Sequence, residues 1–217
     1  MREKIRILVL TSNPWTSSRI LGDEEAREIF EGLREGLYRD RFELHNHAAT
    51  KASDLQKLLL MYEPHIVHFS GHASQTDSRA TQRGLANLFA LYNTHVRLVL
   101  LNACFTKAQA RSISEVINYS IVTGIGDKVG VTFAGVFYRA LGFGKSIRMA
   151  FESAKAELDL TTIPRSRGIE LFVRNGVSER DRFPRMARPA RRRGPLTQLY
   201  RHRLSRTVSR RLRRATR

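Results

Sequence analysis

Seven residues near the start of the chain, Ile5 to Thr11 (IRILVLT), form an almost unbroken run of β-branched and leucine side chains. A strand with one wet face would alternate apolar and polar residues. A continuous run belongs to a strand covered on both faces, which calls for a parallel sheet with helices on either side. The chain that follows supplies both partners. Between Asp23 and Tyr38 the apolar residues Ala26, Ile29, Phe30, Leu33 and Leu37 recur at helical spacing, with Glu and Arg on the opposite face. The pattern then repeats: strand Phe42 to Ala48, helix Ala52 to Tyr62, strand Ile66 to Ser70, helix Gly84 to Tyr92, strand Val96 to Asn102, helix Lys107 to Ile117 and strand Ser120 to Thr123. Strict alternation predicts a three-layer α/β fold with a mostly parallel central sheet flanked by helices, and Ile5 to Thr11 as a central strand. Two helices, Val129 to Leu141 and Lys145 to Leu158, and a last strand, Gly168 to Arg174, complete it.

A chain of 217 residues, 41% of them hydrophobic, suits one such domain, here residues 1–177. The net charge of +18 is unevenly spread: from Asn175 onward there are 15 Arg and 2 acidic residues, so that stretch carries +13 and the rest +5. Residues 178–217, with Pro184, Pro189, Pro195 and Arg clusters, have too little apolar surface to offset their ordering entropy and are expected to be a disordered basic tail. Its arginines, among them Arg191, Arg192, Arg193, Arg210, Arg211, Arg213 and Arg214, offer attraction to nucleic acid or another anionic polymer without base readout. A solvated extension and a reading-frame artefact are the competing readings of that tail. The single cysteine excludes an intrachain disulfide and fits a reducing, cytoplasmic setting. The apolar run at the start is too short for a signal peptide or a membrane span.

Open α/β sheets gather reactive groups where the carboxyl ends of the strands meet the loops. Two segments put reactive side chains there. In PHIVHFSGHAS the strand runs out into Ser70-Gly71-His72, and in VRLVLLNACFT into Ala103-Cys104. The 32 residues between His72 and Cys104 hold one loop and one helix, the length of a single crossover between adjacent parallel strands. The two side chains are therefore expected side by side. A free thiol near neutral pH is only a few per cent thiolate, so a nucleophilic Cys104 needs a base such as His72 and a positive field such as the helix starting near Lys107. Taken singly, each residue reads as structural: a lone buried Cys is usually a small core hydrophobe.

His45, His47, His65 and His68 lack the arrangement of a tetrahedral metal set, so no metal is expected, and no cofactor either. Gly124-Ile125-Gly126 and Gly142-Phe143-Gly144-Lys145-Ser146 lack the glycine spacing of nucleotide-binding loops and read as turns.

HIVHFSGHAS, then LVLLNACFTKAQA, a Gly-Asp step, FYRALGFGKSI, an Ala-Phe helix and ELFVRNGV follow one another in an order that resembles the CHAT domain, a bacterial branch of the caspase-like cysteine peptidases. The resemblance runs from about Ile5 to about Val177. It implies a caspase-like fold and an intracellular endopeptidase acting in a bacterial defence or cell-death pathway. In that reading Cys104 attacks a peptide carbonyl, His72 handles the proton, and the backbone amides of Cys104 and Ala73 bind the oxyanion. It also implies a protein substrate and an activating sensor on another chain.

The sequence departs from the family at Ala73, where glycine is usual, and at Gln75 to Gly84, where many relatives carry a longer hairpin. If the turn at Ala73 needs positive φ, the side chain distorts the oxyanion hole; if φ is negative, little changes. A catalytically impaired module acting as a regulatory or docking partner is thus the alternative to a working peptidase. Asp127 has two readings: an acidic group in the primary specificity pocket, selecting Arg or Lys, or the amino-terminal cap of the helix near Val129.

Overall fold

The computed structural model describes residues 4–11, 18–48, 52–70, 78–102, 107–123, 127–161 and 168–178. Its elements alternate as β1 (Ile5–Thr11), α1 (Ser18–Glu35), β2 (Phe42–His47), α2 (Leu55–Tyr62), β3 (Ile66–Ser70), α3 (Ser78–Leu91), β4 (Leu98–Leu101), α4 (Lys107–Ser114) and β5 (Tyr119–Val122), followed by α5 (Asp127–Gly142), α6 (Ile147–Leu160) and β6 (Glu170–Val173). They build one six-stranded sheet in the order β2-β1-β3-β4-β5-β6. Neighbours from β2 to β5 are parallel, and β6 joins β5 antiparallel. The mostly parallel sheet flanked by helices is the fold the alternation predicts. β1 lies one strand in from the edge, between β2 and β3, and its residues from Ile7 to Leu10 are almost wholly buried.

Side chains of a strand point alternately to the two faces, and parallel register carries that alternation across the sheet. Leu8, Leu10, Val67, Val99, Leu101 and Val122 therefore share one face, where they form a single core with Leu55, Leu58 and Leu59 of α2, Phe89 of α3, and Ala110 and Ile113 of α4. Ile7, Val9, Ile66, Leu98, Leu100 and Ile121 share the other face and are equally buried. That face belongs to α1, α5 and α6, and α1 runs along α5.

The α1–α5 contact explains where the helical pattern misleads. Phe30 and Leu37, expected in the core, are 50% and 65% exposed, whereas Glu25 is 1% exposed. The buried face is Gly22, Glu25, Ala26, Ile29, Gly32, Leu33 and Gly36, a helical stripe built largely on small residues. The reason is the short distance between the helices: a Cβ on Gly32 would stand 2.6 Å from the Gly135 carbonyl oxygen, and one on Gly36 2.4 Å from the Gly142 carbonyl. Two other boundaries shift. α3 begins at Ser78, six residues before the predicted Gly84, so Ser78 to Gly84 are helical. Gly84 sits inside that helix with open space around its Cα, a position that costs only the propensity penalty of about 1 kcal/mol. α5 begins at Asp127, two residues before the predicted start, which makes Asp127 the first helical residue.

Replacing Gly32 by alanine should lower stability by about 1–3 kcal/mol through overpacking against α5, read as a lower midpoint in urea denaturation with an unchanged slope.

Candidate functional site

β3 and β4 are in register from Ile66 with Leu98 to Phe69 with Leu101. The ladder runs one step further, because the Asn102 N–H donates to the Phe69 carbonyl at 2.8 Å and the Thr123 N–H to the Leu101 carbonyl at 3.1 Å. Ser70, Asn102 and Thr123 are thus neighbours at the carboxyl ends of three adjacent strands. Alternation sends their side chains, with that of His68, to the α1–α5 face. Each is buried, with His68 and Thr123 at 0% exposure and Ser70 and Asn102 at 5%.

Polar side chains so enclosed need partners, and one carboxylate supplies most of them. Glu25 of α1 accepts hydrogen bonds from Ser70 Oγ, from Asn102 Nδ2 and, at 3.0 Å, from His68 Nε2. Asn102 Oδ1 accepts in turn from Thr123 Oγ1 at 2.6 Å. Tyr138 of α5, itself fully buried, brings its hydroxyl to 3.3 Å from His68 Nδ1. The Asn102 amide is held from the far side by the backbone of α5: a Cβ on Gly130 would fall 2.2 Å from both its terminal atoms. Every member of the cluster touches at least one other, and the group spans β3, β4, the end of β5, α1 and α5.

Burial pushes the Glu25 carboxyl up, but the opposing pull of His68, with the hydrogen bonds from His68, Ser70 and Asn102, holds it below the ordinary carboxylate value. An ionised carboxylate is acceptor-only, which matches the donors around it. Burial, with the Glu25 charge behind it, pushes the Tyr138 hydroxyl well above its ordinary value, so Tyr138 stays protonated.

Of the residues singled out in the sequence, His72, Ala73 and Cys104 lie outside the described residues, as do the tail arginines from Arg191 to Arg214. Asp127 opens α5 just beyond β5. β3 and β4, which precede His72 and Cys104 in sequence, end side by side at Ser70 and Leu101. α4 begins at Lys107, whose ammonium pairs with the Glu170 carboxylate where β6 starts. Among the described residues no three His, Cys, Asp or Glu side chains form a group able to hold a metal ion, and no helix is long and apolar enough to cross a membrane.

Sequence reasoning passed over Glu25, which it placed on the polar face of α1, and assigned no role to His68, Ser70, Asn102, Thr123 or Tyr138. A signal was present: Glu25 stands four residues before Ile29 and between Gly22 and Gly32 on one helical stripe. His68 and Ser70 share a strand face, and Asn102 and Thr123 each end an apolar run.

Because the folded value of Glu25 lies below the unfolded value of about 4.3, the native state binds fewer protons in that interval. The contribution of Glu25 is therefore complete above about pH 4.3 and lost as pH falls through the folded value. Glu25→Gln should flatten this part of the acid limb in urea-derived stability against pH, and should lower stability at neutral pH by about 3 kcal/mol. Tyr138 has the opposite sign: its contribution is present below about pH 10 and lost as pH rises. Tyr138→Phe should remove that alkaline loss.

No family model matches the chain. It is 24% identical over 130 residues, 54% of its own length, to a protein of Gillisia limnaea named "Probable protease". Those residues are 23% of the relative, so the chain spans about a quarter of the length of the protein it matches. Among solved structures it overlaps an ADP complex of Bacillus subtilis pyridoxal kinase with a TM-score of 0.43 at 9% identity, covering 75% of this chain and 93% of the kinase. A Staphylococcus aureus pyridoxal kinase with ADP overlaps at a TM-score of 0.35 and 11% identity, over 79% and 100% of the respective chains. Overlaps of that size carry no argument about chemistry.

Proposed function

We propose that this chain is a cysteine endopeptidase of the CHAT type, with Cys104 as nucleophile and His72 as its base. The observation that carries the reading is the register of β3 and β4. Paired residues of these strands are 32 positions apart, Ile66 with Leu98 through Phe69 with Leu101. The same interval separates His72 from Cys104, each two residues past the buried pair Ser70 and Asn102. Supporting it are the likeness to a probable protease and the position of α4, whose amino terminus at Lys107 directs partial positive charge toward the residues just before it.

The chemistry is acyl transfer. His72 takes the thiol proton, and the Cys104 sulfur adds to the peptide carbonyl. The resulting oxyanion is held by the backbone N–H groups of Cys104 and Ala73, which substitute for water in a site built before the reaction begins. Collapse breaks the C–N bond, the amine leaves with the proton from His72, and water deprotonated by the same imidazole hydrolyses the thioester. Asp127, at the head of α5 beyond β5, is the residue we assign to a basic side chain preceding the cleaved bond.

A thiol-reactive peptide probe ending in Arg or Lys should label the full chain, and Cys104→Ala should abolish both labelling and cleavage. His72→Ala should reduce cleavage by roughly 10²–10⁴-fold. Absence of Cys104-dependent labelling across a peptide library, with and without candidate activators, removes the proposal.

A further inference from the structure

The cluster around Glu25 lies beneath the rim to which the peptidase reading assigns the chemistry, yet it has no part in that chemistry. It is buried too deeply to touch a substrate: Glu25 is 1% exposed and His68 not at all. What it does is mechanical. The last residue of β3, the first residue after β4 and the first residue after β5 are linked in series, Ser70 to Glu25 to Asn102 to Thr123, and the link is anchored in α1. In sequence His72 follows Ser70 by two residues, and Cys104 follows Asn102 by two.

We propose that Glu25 is a positioning residue that sets the distance between His72 and Cys104 by gripping the two strand ends from which they depart. This rests on the peptidase reading. The ladder bonds between β3 and β4 fix the backbone spacing of the two strands, and the Glu25 carboxylate adds a side-chain tie across their ends, to Ser70 and to Asn102. An acceptor-only group in the middle compels all three donors to converge, whereas an amide there brings its own hydrogens against Ser70 or Asn102 and pushes one strand end away. Gly130 lies against the opposite side, and the Asn102 amide is oriented by donating to Glu25 and accepting from Thr123.

Cys104 is the only cysteine, so its alkylation by iodoacetamide, followed on the full chain by mass spectrometry from pH 5 to pH 10, reads the thiol without a substrate. In the unaltered chain the rate should rise with an inflection below the free-thiol value of about 8.5, and His72→Ala should return it to that value. Glu25→Gln, shown by circular dichroism to be folded at the assay temperature, should move the inflection toward the free thiol and slow alkylation at pH 7 by roughly tenfold. Ser70→Ala and Thr123→Val, which cut one tie each and keep the carboxylate, should give smaller shifts in the same direction. Gly144→Ala tests whether destabilisation alone has this effect. It strains a turn residue at φ +74° against Tyr38, beyond the end of α5, without touching Glu25, Ser70, Asn102 or Thr123, and should leave the inflection in place.

A folded Glu25→Gln chain with the unaltered inflection overturns the proposal, and if that variant does not fold, unaltered inflections in both Ser70→Ala and Thr123→Val overturn it. Thiol reactivity independent of His72 overturns the peptidase reading instead, so the two failures are distinguishable.

Discussion

A single carboxylate, buried between a sheet and two helices, holds the centre of this protein together. Ionised carboxylates are costly to remove from water, by several kcal/mol even after relaxation, and persist inside only where donors surround them. Glu25 has three, from Ser70, Asn102 and His68. The dependence runs both ways. Without Glu25 the buried polar groups at the ends of β3 and β4 lose their acceptor, and without those groups the charge has no reason to stay. Such an arrangement constrains α1, β3 and β4 jointly, and through Thr123 and Tyr138 it reaches the end of β5 and into α5.

The cluster requires that α1 and α5 come close, and the glycines allow it. A Cβ on Gly32 of α1, or on Gly36 just past its end, would collide with the backbone of α5 at Gly135 and Gly142. Dispersion between backbones at such range and the absence of side-chain bulk let α1 sink far enough for Glu25 to reach the strand ends. Gly130 then presses α5 onto Asn102. Large apolar side chains do the opposite work on the far face, where Phe89 and the leucines of α2 fill the space under the sheet. One face of the sheet is a conventional apolar core. The other carries a polar cluster at the end where the parallel strands stop.

The candidate site was legible in part. Reactive residues at the ends of neighbouring strands follow from period, crossover length and the rule that open sheets work at their carboxyl edge. The support beneath them was not. Glu25 is chemically an ordinary glutamate, and only its place on the stripe of Gly22, Ile29 and Gly32 sets it apart from Glu24 or Glu28; contact with side chains from distant parts of the chain makes it a buried anion. Phe30 and Leu37 failed the other way, as apolar residues at helical spacing that face solvent because the glycine stripe, not the aromatic and leucine positions, meets α5.

By itself the sequence determined the alternating strands and helices, a mostly parallel sheet and the adjacency of the strands leading to His72 and Cys104. Each of these rests on short-range periodicity and on sterically limited connections. The tertiary structure decided which face of α1 is inside, where α3 and α5 begin, that β6 closes the sheet antiparallel, and that Glu25, His68, Ser70, Asn102, Thr123 and Tyr138 form one cluster. Those outcomes depend on how closely two helices can approach and on where a charge finds its donors, and both are properties of residues brought together across the fold.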